Sequence, residues 1–283
     1  MKEINLTLIL ICFLDPVARS EHILFALPQT VRSTTVQIKP IITGLLQQGH
    51  LVTTIISAET NIHHPNYTEL SLHSHADDLY ASYSSKVLNE EAGPYMTSWK
   101  SIKSMLKDGL LTNAKPITES IVAYQQIGKL VKDQPSVDLL VVQAYMGSLL
   151  YFLSDILHCP LVVFSLEGPM VGLQGSMGNP DNPNWQVSNY APLVEPLSMS
   201  DRVFNAWNRI VVLGYQRIQQ HVIQQELFKM YGTNIPYLWD LEKKVNILLF
   251  LLKTFCISNL GQPCVIFISF HYSWTKSLGS KYC

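Results

Sequence analysis

"HILFALPQTVRSTTVQIKPIITGLLQQGHLVTTIIS", His22 to Ser57, decides the fold. It opens with a short apolar run, stopped by Pro28. It continues with Ile38, Ile41, Ile42, Leu45 and Leu46 at helical spacing and reaches Gly49, where a left-handed helix cap belongs. "LVTTIIS" from Leu51 is a second strand. Strand, helix and strand this close together make a βαβ unit, whose crossover forces the two strands to be parallel. The turn after the first strand usually presents an α/β domain's chemistry, yet here it offers hydroxyls, Ser33, Thr34 and Thr35, and nothing that takes a proton at neutral pH.

Outward from this unit the alternation repeats. "PSVDLLVVQAY" reads as a buried parallel strand ended by Gln143, "MGSLLYFLSDILHCP" as a helix, and "LVVFSLEGP" from Leu161 as a further strand. The pattern predicts an α/β fold, a Rossmann-like doubly wound parallel sheet with its ligand cleft at the carboxyl ends of the strands. Two amphipathic helices are expected between Ser98 and Lys132, one carrying Trp99, Ile102 and Leu106, the other Ile117, Ile121, Tyr124 and Val131. A long helix capped by Ser200 or Asp201 should reach about Tyr231, with Val203, Trp207, Ile210, Ile218, Val222 and Leu227 near one face and Gly232 at its end. "VNILLFLL" and "CVIFISF" are apolar runs of strand length, too short to cross a bilayer.

The segment "ETNIHHPNYTELSLHSHADD" is polar and without period, and reads as loop. Its His63, His64, His73 and His75 lack Cys or carboxylate partners at a ligand spacing, so solvated loop is favoured over a metal site. Gly172, Gly175 and Gly178 do not follow the spacing of a phosphate loop and read as surface loop. With 283 residues and a net charge of −1, the chain has a sizeable core and no basic stripe for nucleic acid.

Residues 1–20 combine Lys2, an apolar run from Ile4 to Leu14 and small residues at Ala18 and Ser20, the pattern of a cleaved signal peptide. The mature chain then starts near Glu21 in the secretory pathway, without a transmembrane helix. Asn66-Tyr67-Thr68 becomes a usable glycosylation sequon there. Cys159, Cys256, Cys264 and Cys283 are too dispersed for a disulfide framework or zinc site; Cys159 reads as core, and at most Cys256 and Cys264 pair.

The signal peptide, the opening stretch, "VDLLVVQAYMGSLLYFLSDILHCPLVVFSLEGP", the loop "GNPDNPNWQVSNYAP" and the long helix after "LSMSDR" together resemble the N-terminal half of UDP-glycosyltransferases of the insect, membrane-bound kind. The resemblance runs from about residue 21 to 244. It implies the acceptor-side half of a GT-B fold, hexosyl transfer from a UDP-sugar, with UDP-glucose expected, to a small lipophilic acceptor, and a detoxifying role in the endoplasmic reticulum. It places the family's general base, a histidine, on Thr34 and the family's acid on Gln143, so neither catalytic position is intact. The expected acceptor pocket is Pro28, Ser33, Thr34, Gln143, Tyr145, Glu167 and Gly168. His22 and His50 lie at the wrong end of the βα unit to stand in.

Residues 245–283 look foreign to the family and stand where an interdomain linker and donor domain are expected. The resemblance therefore implies a truncated chain, inactive by itself and binding no UDP-sugar or metal alone. The alternative is a non-catalytic lumenal protein that binds apolar small molecules, or pairs as a homo- or hetero-oligomer with full-length family members; an unstable fragment is a third reading.

Overall fold

The computed structural model describes residues 20–28, 32–72, 115–122, 124–144, 147–165, 171–176, 182–184, 186–188, 191, 193, 196–245, 247–253 and 266–272. The signal-like residues 1–19, the helix expected around Trp99, and Cys256, Cys264 and Cys283 lie outside them.

The opening βαβ unit forms as expected. Strand β1 (His22–Leu27) leads to helix α1 (Arg32–Gln47) and strand β2 (Leu51–Ile56), and Gly49 takes φ 88°, a conformation open to glycine at little steric cost. Strand β3 (Tyr67–Ser71) follows, then helices α2 (Lys115–Val122) and α3 (Gln125–Asp133), strand β4 (Leu139–Gln143), a 3-10 turn (Gly147–Leu150) and helix α4 (Phe152–Ile156). Strand β5 (Leu161–Ser165), the short helix α5 (Leu173–Ser176), the long helix α6 (Met199–Tyr231), helix α7 (Leu238–Lys243) and strands β6 (Ile247–Lys253) and β7 (Ile266–Tyr272) complete the order.

The sheet runs β3-β2-β1-β4-β5-β6-β7. All neighbours are parallel except β6 and β7, which pair antiparallel. Strand order reverses between β1 and β4, and that is where an open α/β sheet leaves a crevice at its carboxyl edge. The architecture is α/β and Rossmann-like, and the two apolar runs near the C-terminus extend the same sheet.

Side-chain alternation sorts the core into two layers. Ile23, Phe25 and Leu27 of β1, Val52 and Ile56 of β2 and Val141 of β4 pack with Ile38, Ile42 and Leu46 of α1. Leu24, Ala26, Ile55, Leu140 and Val142 face the other way, against Phe152, Ile121, Ile127, Leu227 and Leu241. Among the described residues, α1 covers one face, and α2, α3, α4, α6 and α7 cover the other. Cys159 is buried here as a free thiol, its pKa pushed up to about 11 by desolvation.

Four expectations need correction. The loop reading of residues 59–78 fails at Tyr67–Ser71, a strand that pairs with β2 from Val52↔Tyr67 to Ile56↔Ser71. Its polar residues are satisfied on the sheet edge: the Glu69 carboxylate accepts from the Thr60 amide (3.2 Å), the Thr60 hydroxyl (2.6 Å) and the Tyr67 hydroxyl (2.8 Å), so hydrogen bonds do what apolar burial does elsewhere. Burial raises the Tyr67 pKa to about 12, which keeps it neutral and donating. The single helix expected around residues 117–131 is two, because Tyr124 adopts an extended backbone (φ −61°, ψ 119°) between them. The helix after Gln143 is broken into the 3-10 turn and α4.

The fourth correction concerns α6. Its cap is Ser198, whose hydroxyl accepts from the Asp201 amide while the Asp201 carboxylate accepts from the Ser198 amide. The face is also inverted: Asn205, Asn208, Arg209 and Val212, at i, i+3, i+4 and i+7, point inward, while Val203, Trp207, Ile210 and Ile218 are exposed. Leu227 lies inside, away from the stripe it was grouped with.

The cap carries a pH dependence. Hydrogen bonds from Ser198 hold the Asp201 carboxyl below its ordinary 3.8. A carboxylate depressed in the folded state contributes fully above its unfolded pKa and loses that contribution as pH falls through the folded one. Ser198→Ala should lower stability by about 1 kcal/mol at neutral pH. Urea unfolding at pH 7 and below pH 3 should show most of the difference persisting in acid, where the hydroxyl still accepts from the Asp201 amide, and the share from its bond to the Asp201 carboxylate lost; no loss at pH 7 would contradict the cap.

Candidate functional site

Of the residues expected to carry chemistry, Pro28, Ser33, Thr34 and Gln143 lie at the carboxyl ends of β1 and β4. Pro28 is buried directly after β1. Ser33 and Thr34 lie in the first turn of α1, and Thr34 is 3% exposed. Thr34 precedes Ile38 and Ile42 by one and two turns, so it belongs to the helix face that packs on the sheet. Thr35 is buried beside it and donates from Oγ1 to the Ala58 carbonyl, 3.5 Å away just past β2.

Gln143 ends β4. Leu139 and Val141 of that strand pack in the α1 layer, so the period of two sends the Gln143 side chain to the same face. The register Ala26↔Val142 puts it one step further along, level with Leu27, and on its other side it pairs with Phe164. Alternation in the strand and the turn in the helix thus bring Thr34 and Gln143 to one corner, where the α1 layer meets the carboxyl edge.

Gln143 is 7% exposed, and its Oε1 has no hydrogen-bond partner among the described residues. A buried amide oxygen left unpaired is unfavourable by about 1–3 kcal/mol, and such atoms call for a partner. Tyr145, Glu167 and Gly168, the other expected pocket residues, lie outside the described residues. Ser165, at the end of β5, is buried on the same edge.

The two histidines of the βα unit are remote. His22 opens β1, where Nδ1 meets the Ser136 carbonyl (2.7 Å) and Nε2 the Thr53 hydroxyl (2.9 Å). His50 precedes β2, its Nδ1 accepting from the Glu21 amide at 3.3 Å. The length of β1 alone, about 16 Å, separates them from the carboxyl edge. His63 and His64 are exposed in the loop before β3, with His64 Nδ1 accepting from the Asn66 amide at 3.2 Å. His73 and His75 lie outside the described residues.

A second polar cluster escaped the sequence reading. Asn205 is fully buried on α6; its amide donates to the Pro183 (2.7 Å) and Gln186 (2.8 Å) carbonyls and accepts from the Ser188 amide at 2.9 Å. Arg209, one turn on, donates to the Gln186 carbonyl. Burial lowers the Arg209 pKa. The stretch after β5 is thereby tied to α6 at these points. The signal was present in the spacing of Asn205, Asn208, Arg209 and Val212, once polar residues are allowed to be the inward ones.

Nearer the edge, Gly172 takes φ 91°, and a Cβ there would come within 2.6 Å of the Gln216 amide oxygen and 2.9 Å of Leu213 Cδ2. Gln216 donates to the neighbouring Val171 carbonyl at 3.0 Å. The surface-loop reading fails for both described glycines: Gly172 is buried in close packing on α6, and Gly175 lies in α5.

Fold and site together define an α/β domain whose strand order reverses between β1 and β4, with Thr34, Gln143 and Ser165 buried at the carboxyl edge. The chain is similar to UDP-glycosyltransferase UGT5 of Dactylopius coccus, with 22% identity over 243 residues, 82% of this chain and 44% of that protein. It thus spans less than half the length of the relative it matches. That likeness supports the UDP-glycosyltransferase family and nothing finer. No family model matches the chain.

Proposed function

We propose that this chain is the acceptor-side half of a GT-B, UDP-glycosyltransferase fold that binds a small lipophilic alcohol or phenol without taking its proton. The observation that carries the reading is Gln143: a buried amide oxygen at the switch point, unpartnered among the described residues, on the face where Thr34 lies. An amide oxygen accepts a hydrogen bond from a hydroxyl and cannot hold the proton. Thr34 likewise relays or positions and is no general base. Pro28, Ser33, Tyr145, Glu167 and Gly168 are the proposed remainder of the pocket. Transfer would need a donor such as UDP-glucose, held by a second α/β half, and a base that these two positions lack.

The secretory reading belongs to the same proposal: residues 1–20 direct the chain to the endoplasmic reticulum, and Asn66 carries a glycan. Asn66 sits half-buried at the entry to β3, its carbonyl accepting from the Val52 amide at 2.9 Å.

The test is Gln143→Leu with thermal unfolding in a panel of phenols and terpene alcohols. The wild-type chain should gain about 5–10 °C at ligand a hundredfold above Kd. The variant should be more stable than wild type without ligand, by about 1 kcal/mol, and respond several-fold less to it. Equal ligand shifts in both proteins would remove Gln143 from the site.

A further inference from the structure

Gln143 is set among apolar side chains. Its neighbours at the same level of the sheet are Leu27 of β1 and Phe164 of β5, both buried, and Val141 lies two residues before it on the same face. All of these pack in the α1 layer. Ser165, although buried on the same edge, follows the alternation of Leu161 and Val163 and faces the opposite layer. Among the described residues, the Gln143 amide is thus the one hydrogen-bonding side chain that β1, β4 and β5 present towards α1.

An amide oxygen in such surroundings accepts a hydrogen bond and does nothing more. The apolar walls of Leu27 and Phe164 raise the penalty for leaving it unpaired, so a partner is judged by whether it donates and by how its shape fits. The acidity of the donor enters only through the strength of that one bond. A general base selects differently, because it favours groups whose proton it can remove. An aromatic amine holds its N–H far more tightly than a phenol holds its O–H, and yet both donate.

We infer that this corner selects its ligand as a hydrogen-bond donor and not as an acid. The class it takes is an apolar molecule that leads with one donor, O–H or N–H alike, so that aromatic amines belong to it beside phenols. The inference rests on the reading of Gln143 as the ligand's contact and extends that reading from oxygen to nitrogen donors.

Ligands of one shape test it: p-cresol, p-toluidine and p-xylene carry a hydroxyl, an amino group and a methyl at the same ring position. Their dissociation constants for the purified chain are read from the rise of Tm with ligand concentration. In the wild type, p-cresol and p-toluidine should bind within about threefold of each other, and p-xylene about fivefold to tenfold more weakly than either, the difference of one hydrogen bond. In Gln143→Leu the order should reverse, with p-xylene the best of the set. If p-toluidine binds no better than p-xylene while p-cresol binds well, the site reads acidity; the inference is then overturned and the phenol-binding reading stands. If p-xylene matches p-cresol in the wild type, or if Gln143→Leu keeps the wild-type order, the Gln143 oxygen does not meet the ligand and the inference falls. If no ligand of the set raises the wild-type Tm, the binding reading itself fails and takes the inference with it. The wild-type comparison decides alone should the variant not fold.

Discussion

Asn205→Ala should destabilise the chain by about 3–4 kcal/mol, measured by urea unfolding, for the loss of the three hydrogen bonds its buried side chain makes. The side chain is fully buried and supplies two donors and one acceptor to backbone groups of residues 183–188. Removing it leaves the Pro183 carbonyl and the Ser188 amide without these partners and opens a space beside the Arg209 guanidinium. Asn205→Asp separates the contributions, since it keeps an acceptor for Ser188 and loses both donations. It should fall short of wild type by more than half of the alanine loss, because a carboxylate also faces two carbonyl oxygens. A loss below about 1 kcal/mol in Asn205→Ala would show that the loop is not held from α6.

The second large effect concerns the proton. A phenol bound at the switch point should remain protonated, and the chain with UDP-glucose and that phenol should form no glycoside. General-base catalysis contributes about 10²–10⁴-fold, and a neutral amide in place of the orienting carboxylate of a histidine dyad is similarly severe. Here both positions, Thr34 and Gln143, are neutral, and His22 and His50 are pinned at the opposite edge of the sheet. Conversion of phenol to glycoside by the purified chain would show that another group takes the proton.

Much of this was legible in the chain itself, and the failures have physical reasons. The βαβ unit of residues 22–57 is written in apolar periodicity, because both its strands are buried and α1 has one apolar face. β3 was hidden because an edge strand is held by Thr60, Tyr67 and Glu69 hydrogen bonds instead of by apolar burial. α6 was read with the wrong face inward because apolar period marks a face without saying which side of it is covered; Asn205 and Arg209 win the interior by satisfying a loop. The Thr34 and Gln143 positions were found by resemblance. That both belong to the α1 layer at the carboxyl edge follows from strand alternation and helix turn, which needed the register to establish.

The most direct measurement is the ionisation of bound 4-nitrophenol, followed by the phenolate absorbance as pH is varied with saturating protein. A buried site that offers the amide oxygen of Gln143 stabilises the protonated phenol and disfavours the anion, so the pKa of the bound phenol should rise above its value in water. A fall below that value would mean that the site stabilises phenolate, and would contradict a crevice that accepts a hydroxyl without taking its proton.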